Sequence, residues 1–141
     1  MPETGDSGIE GRLWQVSAFY AVLALAYMMV LAYFSVSPGG SGMGFLFFSD
    51  KEVHLLSYLV LTLLLYLSFF KPTLAWRRLS RRFSKVLLKR AFLSAFASFA
   101  FGVAMEILQA VSETRTFSLY DMVANAVGVV AAAVLIFYVD G

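Results

Sequence analysis

Three features of the sequence predict an all-α fold, an integral membrane four-helix bundle with both termini cytoplasmic. The first is composition: 60% of the 141 residues are apolar, only 14% are charged, and mean hydropathy is +0.79. A soluble chain of this length lacks the polar residues to cover so much apolar surface, so lipid is the expected solvent. The second is the presence of four apolar runs long enough to cross a hydrocarbon core about 30 Å thick, which takes about 20 helical residues. The third is the gathering of basic residues into one linker. The runs lack the period-two alternation of a closed β-barrel. With no cysteine in the chain, disulfides and thiolate chemistry are excluded.

The helices are expected at residues 13–36, 50–70, 88–111 and 119–139, as a single transmembrane domain over 13–141 after a short tail at 1–12. The first run is preceded by acidic Glu3, Asp6 and Glu10, with only Arg12 basic, and is long for a secretory signal; an uncleaved helix is expected. The second begins at "SDKE", where Ser49 and Glu52 have the spacing of a capping box. Between the second and third runs, the linker 71–90 carries eight of the eleven Lys and Arg and no acid. Short basic loops stay in the cytoplasm, which places both termini there and leaves Lys51 and Arg115 outside. Residues 74–90 suit an amphipathic surface helix with Trp76, Leu79 and Phe83 toward lipid, serving orientation and anionic-lipid attraction, with no nucleic acid expected. The fourth run begins at "SLYD", where Ser118 and Asp121 repeat the capping spacing.

With this orientation the polar residues fall at one depth. Asp50, Lys51 and His54 open the second helix, Glu106 and Gln109 lie near the outer end of the third, Arg115 sits in the loop "SETRTF", and Asp121 and Asn125 open the fourth. By helical rise, His54, Glu106 and Asn125 come within about 10 Å of the outer ends. They also share faces. Ser94, Ala95, Ser98, Gly102 and Glu106 recur at helical spacing, as do Asp121, Asn125, Gly128 and Ala132, while Asp50, His54, Tyr58 and Thr62 align on the second helix. Small residues on a stripe let helices approach closely, which turns Glu106 toward the bundle. A charge facing lipid costs about 2.5 kcal/mol or more, so convergence is the economical arrangement.

Each residue has a structural and a functional reading. Ser49, Glu52 and Ser118 read as helix caps, and Asp121 serves as cap or as site. His54, Glu106 and Asn125 lie too deep for capping and form either a hydrogen-bonded clamp or a site. Arg115 is a neutralising partner or an anion contact, and Tyr58 a packed ring with a polar tip or a binding group. In an enzymatic version His54 is general acid or base oriented by Asp50 or Asp121, with Glu106 a second acid or base. The candidate catalytic set is therefore His54, Glu106 and Asp121. The candidate binding set is Asp50, Lys51, Tyr58, Gln109, Arg115 and Asn125. A metal variant would use His54, Glu106 and Asp121, yet there is no HExxH, no second histidine and no DxD, so neither metal nor cofactor is expected. The flexible "GGSGMGFLFF" stretch suits a lid at the outer leaflet. Ser94, Ser98 and Gly102 could equally face a second copy in a homo-oligomer.

These residues resemble the VanZ-like family of small membrane proteins. The family pattern stands here as Asp50-Lys51, His54 and Tyr58, then Glu106-x-x-Gln109, Arg115-x-x-Ser118-x-x-Asp121, and Asn125-x-x-Gly128, with "SVSPGG" after the first helix. "SETR" departs from the Pro-Gly-Arg more usual before the arginine, and the basic linker is long. The resemblance spans roughly 35–130. It implies a cell-membrane protein of several spans with an outward-facing polar cavity, which binds or processes an envelope lipid, lipid-linked glycan or glycopeptide. The family is named for a member associated with resistance to teicoplanin. The rival expectation is a non-enzymatic interaction protein whose polar cluster only holds helices.

Overall fold

The computed structural model of the protein describes residues 6–37, 49–69, 80–112 and 118–140; the side chains of residues 6–10, 13, 50, 80–84 and 140 lie outside that description. Four helices follow in order: α1 (Asp6–Val36), α2 (Asp50–Ser68), α3 (Ser80–Val111) and α4 (Leu119–Asp140). Each is long and apolar enough to cross a membrane. The fold is all-α. Helices α2 and α3 each touch the other three, and α1 and α4 take opposite corners.

Two boundaries differ from expectation. Helix α1 begins at Asp6, inside the segment expected to be a tail, and α3 begins at Ser80, inside the basic linker. Residues 80–90 contain neither proline nor glycine, so the α3 hydrogen-bond ladder runs on through the basic stretch. They form the first turns of α3, and residues 74–79 of the expected surface helix lie outside the described residues. Lys85 and Lys89 are exposed on those turns. Trp76, Leu79, the Phe83 side chain and the glycine-rich 39–48 segment lie outside the described residues.

Local chemistry fixes the ends of α2. The Ser49 hydroxyl accepts from the Glu52 N–H at 3.4 Å, and the Ser49 N–H donates to Glu52 Oε2 at 2.7 Å, completing the expected capping box. At the other end Phe69 N–H donates to the Leu65 carbonyl, and the Ser17 hydroxyl of α1 donates to the Ser68 carbonyl. That second bond satisfies a terminal carbonyl that the helix itself leaves without a partner.

The interior is layered along the helix axes. At one end Tyr66, Leu87, Ala91 and Ile136 pack together from α2, α3 and α4. In the middle Tyr58, Leu61 and Val129 pack under Tyr27, Met28 and Leu31 of α1. Ser94, Ser98, Thr62 and Ala132 are fully buried between helices, as the small-residue stripes predict. Glycines set the closest approach. A Cβ at Gly128 would meet the Leu55 carbonyl oxygen, with the Leu55 carbon at 3.0 Å and the Leu59 nitrogen at 3.1 Å. Helix α4 thus lies directly on the α2 backbone in the turn that follows His54, from Leu55 to Leu59. Many large apolar side chains remain exposed on the outer faces, Met29, Phe92 and Tyr138 among them.

Candidate functional site

Polar groups from three helices meet in the layer beyond Tyr58. His54 from α2 approaches two residues of α4: its Nδ1 lies 3.0 Å from Asn125 Oδ1, and its Nε2 lies 3.9 Å from Asp121 Oδ2. Asp121 and Asn125 are four apart, so one helical face presents both to the imidazole. An amide oxygen only accepts, so Nδ1 carries the proton and donates to Asn125. The orientation of the ring follows from that bond. Glu106 enters from α3, only 2% exposed, and its Oε2 accepts from the Ser118 N–H at 3.3 Å.

That last bond changes how the start of α4 is sealed. The Ser118 hydroxyl accepts from the Asp121 N–H at 3.2 Å, as a helix N-cap does. In a capping box the side chain of the third helical residue would return the favour to the cap N–H. Here the carboxylate that accepts from Ser118 belongs to Glu106 of the neighbouring helix. Asp121 therefore contributes its N–H to the cap and its carboxylate to the cluster. Sequence spacing alone left Asp121 as cap or site; in the structure its backbone serves one and its side chain faces the other.

Donor atoms of His54, Glu106 and Asp121 lie within 4.8 Å of one another. The cluster grades outward: Glu106 is buried, while the His54 and Asp121 side chains keep 17% and 13% of their surface exposed. A small molecule or ion could reach the outer two without unfolding any helix. Below the cluster, the Tyr58 ring packs against Gly102: a Cβ at Gly102 would lie 2.9 Å from Tyr58 Cε1 and 3.1 Å from Asn125 Nδ2. The Tyr58 carbonyl accepts from the Thr62 hydroxyl at 2.7 Å and the Ser98 hydroxyl at 3.4 Å, tying α3 to α2 beneath the site.

The remaining expected residues distribute around this centre. Gln109, one turn beyond Glu106, is buried on the same α3 face. Lys51 is exposed, its ammonium 4.9 Å from the centroid of the Tyr120 ring, where a cation–π contact joins the starts of α2 and α4. Asp50 begins α2, but its side chain lies outside the described residues, as does all of Arg115. Sequence reading missed the Ser118–Glu106 bond, the Ser17–Ser68 bond and the role of Tyr120. For Tyr120 the signal was available: an aromatic in the first turn of one apolar helix and a lysine in the first turn of another.

No protein-family model, curated protein or solved structure matches the chain.

Proposed function

We propose that this chain is a multi-pass cell-membrane protein of VanZ-like type, with both termini cytoplasmic. Its polar cluster is an extracytoplasmic binding site for the headgroup of an envelope lipid, lipid-linked glycan or glycopeptide. The observation that carries the reading is the convergence of His54, Glu106 and Asp121 within 4.8 Å, from three helices each long and apolar enough to span a membrane. Burying ionisable groups at such a depth is costly, and intramembrane ionisable residues mark functional sites by default. The partly exposed rim of His54 and Asp121 supports access from one end. Lys85, Lys89 and Arg90 stand on the first turns of α3, at the other end of that helix from Glu106, and with the other basic residues of the 71–90 sequence they support a cytoplasmic placement of that end. Lys51, exposed beside the site, offers a positive charge to phosphate or carboxylate.

A second reading has its own support. The His54–Asn125 and Glu106–Ser118 bonds join α2 to α4 and α3 to the α4 start, which is what a helix clamp requires. A clamp and a site differ in what the variants lose. Native mass spectrometry of protein extracted from membranes, and teicoplanin susceptibility of cells producing the chain, read the site. For His54→Gln, Glu106→Gln and Asp121→Asn, we expect loss of co-purifying lipid or glycolipid mass, or of the susceptibility change, at unaltered folded yield. Folded yield falling in parallel with binding overturns the site in favour of the clamp.

A further inference from the structure

We infer that His54, Glu106 and Asp121 hold a divalent transition-metal ion. The inference rests on the pocket of the proposed function and deepens it by assigning a cofactor.

Three observations lead there. First, donor types: one imidazole nitrogen and two carboxylates, from three different helices, lie within 4.8 Å of one another. Imidazole with carboxylates is a ligand set suited to zinc or manganese, and three protein ligands leave a position open to water or a substrate oxygen. Second, the imidazole is pre-set. Asn125 Oδ1 accepts from Nδ1 at 3.0 Å, which leaves Nε2, 3.9 Å from Asp121 Oδ2, as the ring nitrogen available to an ion. A metal-binding histidine is held in this way, by a second-sphere acceptor that fixes tautomer and ring angle. Third, the spacing is wrong for a direct hydrogen bond and suited to a bridged pair. At 3.9 Å, Nε2 and Oδ2 are beyond hydrogen-bonding reach. Two ligands each about 2.1 Å from one tetrahedral ion stand about 3.4 Å apart. Donor atoms within 4.8 Å of one another therefore close onto an ion with at most about 1.4 Å of side-chain adjustment.

The rim where His54 and Asp121 remain partly exposed supplies the entry path. On this assignment Asn125 is a positioning residue, and Gly102 and Gly128 let the helices close around the ion. A phosphate or carboxylate oxygen of a headgroup would occupy the open position.

The test exploits the single histidine. Full-length chain carrying a purification tag without histidine, labelled with 15N and held in detergent micelles, is stripped with chelator. It is then titrated with ZnCl2 and followed by imidazole 15N resonances. We expect saturation at about one ion per chain, with the Nε2 resonance moving and Nδ1 staying protonated. MnCl2 binding is measured in parallel by metal analysis after dialysis. Glu106→Gln and Asp121→Asn should abolish stoichiometric binding, and Asn125→Ala should weaken it about 10- to 100-fold. If a variant does not fold, the wild-type titration decides alone. Absence of stoichiometric zinc and manganese from the wild type, or a Nε2 resonance of a protonated imidazolium insensitive to metal, overturns the assignment and leaves a hydrogen-bonded ion pair. Headgroup retention by chelator-treated protein in that case would sink the metal while the pocket stands; loss of both would sink the pocket as well.

Discussion

Gly128 decides how closely α4 can lie on α2, and its hydrogen is irreplaceable. A methyl there collides with the Leu55 main chain, which cannot move without shifting the whole of α2 relative to α4. Gly102 is more forgiving, since its nearest neighbours are the Tyr58 ring and the Asn125 amide, both side chains. Gly128→Ala should therefore destabilise by about 3 kcal/mol or more, and Gly102→Ala by about 1–2 kcal/mol, in unfolding from detergent micelles. Equal losses, or the reverse order, would contradict the packing at the α2–α4 crossing. Glu106 separates shape from charge. Glu106→Gln keeps an acceptor for the Ser118 N–H, whereas Glu106→Leu removes that part-buried bond at a cost of about 1 kcal/mol or more. We expect the leucine variant to lose that much more stability than the glutamine variant. Indistinguishable unfolding midpoints would show that the bond contributes nothing.

The helices as elements were legible because four runs are both long and apolar enough to cross a membrane. The α2 start was legible too, since a capping box is local and its partners are three residues apart. Ser49→Ala should cost about 0.5–2 kcal/mol, measured by thermal unfolding; no change would mean the exposed cap is not limiting. What hydropathy does not report is where hydrogen bonding stops. Charged residues 80–90 fall out of an apolar window while remaining good helix formers, so α3 extends past its apolar part. Helix α1 likewise reaches back to Asp6 through two glycines. At the site, stripes of small residues told which faces meet, but not which atoms. Glu106 replaces the local partner at the α4 cap, a bond spanning 12 positions in sequence that local spacing cannot reveal. The pairing of His54 with Asn125, 71 positions away, required the α2–α4 crossing itself.

For the whole molecule, the proposed orientation rests on the distribution of basic residues along the chain. The chain has no cysteine, so a single introduced one is a clean probe. With a membrane-impermeant maleimide on intact cells, Lys51→Cys should label and Lys89→Cys should label only after permeabilisation; both positions are exposed. The opposite pattern would put the polar cluster in the cytoplasm and remove the envelope headgroup from consideration. Within that frame three helices bring His54, Glu106 and Asp121 to one point, and the consequence is either adhesion or binding. Asp121→Asn discriminates most directly, because the cap at the start of α4 uses its N–H, and an amide has nearly the shape of the carboxylate. Thermal midpoint and retained ligand mass should be read from one preparation of this variant. We expect a midpoint within about 2 °C of wild type and loss of the bound species. A midpoint depressed by about 5 °C or more, with the same bound species retained, would make the cluster a clamp and contradict the site.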